Sequence, residues 1–151
     1  NHFPDLETAW RAGFSELIRT GIEQPVVEKI LEARRDISPE NEFEKLARNG
    51  VKLIAYPDES YPKLLREIPS PPMVLYLRGH LLPSDELAIA IVGARKHSPY
   101  GRQVVEDLVS KLVLAGTAII SGLAFGIDAL AHEAALRHRG RTLAIMASGL
   151  D

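Results

Sequence analysis

The 151-residue chain has no cysteine. That excludes a disulfide framework, a thiolate metal site and a cysteine nucleophile, and it agrees with a reducing cytoplasm as the expected location. A long hydrophobic run is missing too. The longest is the eight residues Leu87 to Ala94, far short of the roughly 20 that a membrane-spanning helix needs. The N-terminus lacks the layout of a signal peptide, so a protein that stays in water is expected. Nor is there an excess of positive charge: 18 Lys and Arg face 20 Asp and Glu, a formal net charge of −2. A chain with that balance is not held to nucleic acid by bulk charge. Any phosphate recognition has to be local, in a pocket built from loops and a few arginines. Internal repeats and low-complexity tracts are absent. What remains, 46% hydrophobic and 25% charged residues, is the composition of a globular chain that can bury a core, as one domain or two small ones.

The charge is unevenly divided along the chain. Residues 1–86 hold 11 Lys/Arg and 15 Asp/Glu, a net of −4, while residues 87–151 hold 7 and 5, a net of +2. The second part is the better home for an anionic ligand. Residues 1–48 read as short helices, with Leu6, Ala9, Trp10, Phe14, Leu17 and Ile18 at helical spacing, and Val26, Val27, Ile30 and Leu31 repeating it. Thr20-Gly21-Ile22 ends the first helix, Pro25 suits the start of the second, and Ser38-Pro39 caps a third. Trp10, Phe14 and Phe43 fall on the apolar faces and read as core.

Residues 49–151 change period. Val51 to Ala55 and Met73 to Leu77 are strand-like, with a short helix around Tyr61 to Arg66 between them. Leu87 to Val92, Thr117 to Ile120 and Thr142 to Met146 are apolar runs alternating with helical stretches, the pattern of parallel βαβ units. In the first of those helices Val104, Val105, Leu108, Val109, Leu112 and Val113 form an apolar stripe; the second, Asp128 to His138, ends at Gly140, which suits a left-handed cap. The fold class expected is α/β: a small helical domain followed by a Rossmann-like parallel sheet. The chain stops at Gly149-Leu150-Asp151, where the third strand should hand over to its loop and helix, and it begins with Asn, so a truncated sheet from a longer protein is expected.

Ligands of open α/β sheets bind beyond the carboxyl ends of the strands, where helix N-termini present backbone N–H groups. Two loops end there. In Val92 to Gly101, Gly93 allows close backbone approach, Arg95 offers a bidentate fork for phosphate, and Ser98 can cap the helix or donate to a phosphate oxygen. Ser121 to Asp128 repeats the order of strand end, small residues and helix start. Both read as anion cradles, although glycines after strands also serve turn geometry alone. Asp128 and His132 lie four apart and could begin a metal site or an acid–base pair, but two ligands do not complete one and Asp at a helix start is commonly a cap. Ser121, Asp128 and His132 have the letters of a hydrolase triad without a Gly-x-Ser-x-Gly elbow. The first loop is Gly-Ala-Arg, not Gly-x-Gly-x-x-Gly, and the second strand ends in Ser-Gly in place of an acidic residue for a ribose, so a dinucleotide cofactor is not expected.

Ile91-Val92-Gly93-Ala94-Arg95-Lys96-His97-Ser98-Pro99-Tyr100-Gly101, Ser121 to His132, Gly140-Arg141-Thr142 and Gly149-Leu150-Asp151 together resemble the DNA-processing protein A family (DprA, also called Smf). Tyr61-Pro62, Pro71-Pro72 and Leu75 to Gly79 fit the same family's lead-in. The resemblance implies a SAM-like helical domain before an extended Rossmann-like domain. It also implies a cytoplasmic, non-enzymatic recombination mediator that binds and protects single-stranded DNA. Such a protein helps load the RecA recombinase in natural transformation and forms a homodimer when full-length. Carried over by motif, the DNA- and phosphate-binding positions are Gly93, Arg95, Lys96, Ser98 and Gly101 on the first loop and Ser121, Gly122, Ala124, Phe125, Gly126 and Asp128 on the second. No catalytic residue, metal or cofactor is implied. Phe125 stands where many members place a basic residue and can either stack on a base or pack. The alternative is a nucleotide-binding enzyme of the phosphoribohydrolase type, whose Pro-Gly-Gly-x-Gly-Thr loop is absent from these residues.

Overall fold

The computed structural model describes residues 2–150; the expectations touching Asn1 and Asp151 lie outside the described residues. The chain divides into two units, Asn1–Gly50 and Val51–Asp151.

The first unit holds α1 (Leu6–Arg11), α2 (Phe14–Arg19), α3 (Gln24–Asp36) and α4 (Pro39–Arg48). What the periodicity reads as a single opening helix is two. The break falls at Ala12–Gly13, where the Glu16 carboxylate turns back to accept the Gly13 N–H at 2.8 Å and restarts the helix. Ser38 caps α4 by accepting the Asn41 N–H. The buried centre is small: Ala12, Leu17 and Val27, flanked by Phe3, Ile22, Ile30 and Leu31. Trp10, Phe14 and Phe43, expected in the core, are 38%, 40% and 58% exposed. Four short helices have too little interior to enclose them. Trp10 instead lies under the Arg34 guanidinium, 5.2 Å from its ring centre, while Arg34 donates to the Ala9 and Ala12 carbonyls at the C-terminal end of α1.

In the second unit β1 (Val51–Ala55) and β2 (Val74–Arg78) form an antiparallel pair with Leu53 opposite Tyr76. Between them lies α5 (Lys63–Arg66), preceded by Tyr61, which is buried and donates its hydroxyl to the Pro72 carbonyl at 2.7 Å. A 3₁₀ turn, Pro83–Glu86, leads into β3 (Ala88–Ala90), followed by α6 (Pro99–Leu114), β4 (Ala118–Ser121), α7 (Ile127–Arg137) and β5 (Thr142–Ala144). The last three strands are parallel in the order β3-β4-β5, with Ala90 beside Ile120 and Ile120 beside Leu143. The fold is therefore α/β with a small parallel sheet, β3 and β5 being shorter than the apolar runs that announce them and β4 shifted by one residue.

Ile91, Val105, Val109, Ile119 and Leu130 pack with Ala131, Ala134 and Ala135 to make the core of this unit. The alanines fall on one face of α7, and their small size lets α6 come close. Of the apolar stripe on α6 only Val105 and Val109 are buried; Val104 and Leu108 stay 41% and 46% exposed. At the far end of α7 the left-handed position falls on Arg139, φ +58°, and not on Gly140. Gly140 is needed for another reason: a Cβ there would lie 2.3 Å from the Val113 side chain. Arg141 then pairs in fork geometry with Asp85, Nε to Oδ1 at 2.8 Å and Nη2 to Oδ2 at 2.7 Å, tying the 3₁₀ turn before β3 to the start of β5.

Candidate functional site

The loops after β3 and β4 leave the same end of the parallel sheet and are locked together by backbone contact. Gly126, φ +92°, sits so close to the first loop that a Cβ would fall 2.2 Å from the Ala94 carbonyl oxygen and 2.4 Å from that of Arg95. A Cβ on Gly93 would meet the Ile127 side chain at 2.8 Å, and one on Gly101 would touch the same side chain at 3.5 Å. Only glycine permits the first two approaches.

Asp128 completes the lock. Its carboxylate is buried and accepts the Gly93 N–H on one oxygen and the Gly122 N–H on the other, each at 3.2 Å. It is thus a bridge between loops more than a cap of its own helix. Below it lies a layer of buried and partly buried polar groups. Ser121 donates its hydroxyl to the Ile91 carbonyl at 2.6 Å. Thr142 donates to the Ile119 carbonyl at 2.9 Å, which leaves its oxygen to accept His132 Nδ1–H at 2.7 Å. His132 Nε2 is buried with no geometric hydrogen-bond partner among the described residues. Burial pushes the His132 pKa below its ordinary value, against the weaker opposing pull of the Ser121 backbone and the Asp128 carboxylate. Ser121, His132 and Asp128 therefore each serve a different partner and form no nucleophile relay. Among the described residues no group of three or more His, Asp or Glu gathers as a metal site.

The backbone cradles expected at the two helix starts are largely closed. Pro99 has no N–H to offer. The Gly101 N–H goes to Ser98 Oγ at 3.0 Å and that of Arg102 to the Ser98 carbonyl at 3.1 Å. At α7, Ile127 donates to the Ala94 carbonyl at 3.2 Å and Ala129 to the Ala124 carbonyl at 3.0 Å. Gly93 and Gly122 are spent on Asp128 as well, so much of the recognition of an anion rests with side chains. Arg95 and Lys96 are exposed, and among the described residues neither is paired with a carboxylate. Ser98 is exposed and keeps its hydroxyl hydrogen free to donate.

The surface around them carries apolar groups in water. Phe125 is 86% exposed, Tyr100 is 79% exposed, and Leu123 is 52% exposed with φ +57°. A left-handed leucine stores backbone strain, which accumulates at sites of function. The sequence pattern names Phe125 and gives Tyr100 and Leu123 no role, since exposure of an apolar residue inside a loop has no periodic signature. Two depressions lie in the helical unit, one lined by Asp5, Glu7, Arg11 and Glu16, the other by Asp36, Glu42, Lys45 and Arg48.

A parallel α/β sheet of Rossmann-like order, with two glycine-locked loops at the carboxyl ends of its strands and unpaired cations beside exposed aromatic rings, defines a class of anion- and nucleotide-binding folds. Comparison with known proteins narrows the class. The chain belongs to the DNA recombination-mediator protein A family, which it matches over residues 52–151. It is 38% identical to the protein Smf of Synechocystis over 99% of this chain and 39% of that protein. It is 34% identical to the DNA processing protein DprA of Bacillus subtilis over 98% of this chain and 47% of that protein. The chain thus spans less than half the length of these relatives. Its fold superimposes on the X-ray structure of DprA from Streptococcus pneumoniae with a TM-score of 0.71 and 31% identity, covering 91% of this chain and 47% of the other. DprA from Helicobacter pylori, described for its single-stranded DNA binding mode, gives a TM-score of 0.57 at 31% identity over 67% of this chain and 44% of the other. No helix among the described residues is long and apolar enough to cross a membrane.

Proposed function

We propose that the protein binds single-stranded DNA through the loops Val92–Gly101 and Ser121–Asp128, as part of a recombination mediator. In this reading it acts in the cytoplasm without catalysis, shields the strand, assists loading of RecA during natural transformation, and works as a homodimer when full-length. The observation that carries the DNA assignment is the pair of unpaired, exposed cations Arg95 and Lys96 on a loop whose backbone is fixed by Gly126. A fixed loop presents the guanidinium fork from an ordered backbone, so less main-chain freedom is lost when it meets a phosphate. Ser98 can donate one further hydrogen bond to the same backbone. Gly93, Gly101, Gly122, Ala124 and Gly126 shape the loops, and Ser121 and Asp128 hold them from beneath. The likeness to the H. pylori protein supports the choice of single-stranded DNA over a free nucleotide.

Phosphate-dominated binding is salt-sensitive and indifferent to sequence. Arg95→Ala is expected to weaken binding of a fluorescent oligonucleotide alike for several sequences. It should reduce the slope of log affinity against log salt by about 1, as loss of one phosphate contact does. Titrations at low and moderate salt check this, and an unchanged slope would remove Arg95 from the interface.

A further inference from the structure

The chain has four Phe, four Tyr and one Trp. Among the described residues the two most exposed are Phe125 and Tyr100, at 86% and 79%, ahead of Tyr76 at 59% and Phe43 at 58%. These two belong to different loops, and the loops touch next to each of them. Phe125 precedes Gly126, which lies against the Ala94 and Arg95 carbonyls, and Tyr100 precedes Gly101, which lies against the side chain of Ile127. Arg95 and Lys96 lie on the same loop as Tyr100, and Gly126 packs against that loop at Ala94 and Arg95. Among the described residues neither ring stacks on another aromatic or takes a cation over its face, and the Tyr100 hydroxyl makes no hydrogen bond with the protein.

We infer that Tyr100 is a base-stacking residue, forming with Phe125 a two-ring platform beside the phosphate-binding cations, so that the site takes unpaired nucleobases. The inference rests on the proposed DNA-binding reading and deepens it: cations alone hold duplex and single strand alike, whereas exposed ring faces reward only bases free of a complement. Base–aromatic stacking is sequence-tolerant because every base has a π face. Tyr100 lies in the first turn of α6, which Ser98 caps and Val105 and Val109 anchor in the core. Its ring is presented from a rigid element, with little order to be gained on binding.

The test uses the protein with Tyr100→Ala, Tyr100→Phe and Arg95→Ala, titrated against a single-stranded oligonucleotide, the same length with abasic sites, and a duplex. Tyr100 is exposed, so melting temperatures of the variants should match that of the parent. Tyr100→Ala is expected to lower affinity for the single strand about tenfold while leaving its salt slope unchanged, and to have little effect on the abasic strand. Tyr100→Phe should retain parental binding. An equal loss on the normal and abasic strands would overturn stacking. Full binding by Tyr100→Ala together with weakened binding by Arg95→Ala would overturn the role of Tyr100 and leave the DNA-binding reading standing. A change in oligomeric state without a change in DNA affinity would assign the ring to a protein contact instead. Absence of DNA binding by the parent would overturn both readings.

Discussion

Asp128 shows how much one buried side chain can decide. Its two oxygens hold the N–H groups of Gly93 and Gly122, 35 and 6 residues away in sequence, and removing an acceptor leaves a partly buried donor without a partner, a cost of about 1–3 kcal/mol. Asp128→Asn keeps the shape but offers one accepting oxygen in place of two. It should lower the melting temperature and weaken DNA binding, because the loop carrying Arg95 loosens, while the salt slope stays at the parental value. Circular-dichroism melts and the salt titration separate this positioning role from a phosphate contact, and a changed slope would count against it. The sequence shows an Asp at a helix start; it does not show which N–H groups the carboxylate reaches, because that depends on the register of β3 against β4. Ser121 is similar: its place in the motif is plain, whereas its hydroxyl facing inward to Ile91 is a tertiary fact.

At the scale of elements, the end of α7 makes two substitutions at adjacent positions act in opposite directions. Arg139 occupies a left-handed conformation, φ +58°, which costs a non-glycine residue about 1 kcal/mol; Gly140 is pressed against Val113 with no room for a Cβ. Arg139→Gly is therefore expected to stabilise by a few tenths to about 1 kcal/mol, and Gly140→Ala to destabilise by more than that. Urea unfolding of the two variants checks the pair, and a stabilised Gly140→Ala would refute the packing argument. The glycine itself is visible in the sequence, but its reason is not, since a helix stop and a close approach leave the same letter. Strand positions were legible because β3, β4 and β5 are apolar runs between helices. Their exact ends were not, because pairing stops where the neighbouring strand stops: β5 pairs only through Ala144, although Ile145 and Met146 continue the run. The periodicity runs through the boundary of α1 and α2 for a related reason, as Phe14 and Ile18 keep the spacing of Leu6 and Trp10 across a break that Gly13 and Glu16 impose locally.

For the whole molecule, the buried polar layer beneath the loops sets how stability responds to acid. The His132 pKa is depressed in the folded protein, first by burial, so below its unfolded value of about 6.5 the unfolded chain takes up a proton that the folded chain resists. Stability present above that pH is then lost as pH falls, until the folded pKa is passed. Asp85 and Glu106 are shifted down as well. The Arg141 guanidinium is the main cause at Asp85, and hydrogen bonding by His138 and then Arg137 acts at Glu106. Their contribution, present above the unfolded carboxylate range near 4, is lost at lower pH still. Acid therefore acts in two stages of the same sign, the first from an imidazole, the second from carboxylates that fasten the 3₁₀ turn to β5 and α6 to α7. Urea unfolding between pH 8 and 5 should show a fall in stability that His132→Asn reduces, and a His132→Asn protein that loses as much as the parent would assign the first stage to another histidine. The layer joins Thr142 on β5, the base of α7 and the loop bridge at Asp128. If the proposed loops bind DNA, protonation there should weaken binding of an oligonucleotide in the same pH window, which titrations at pH 8 and pH 5 would show.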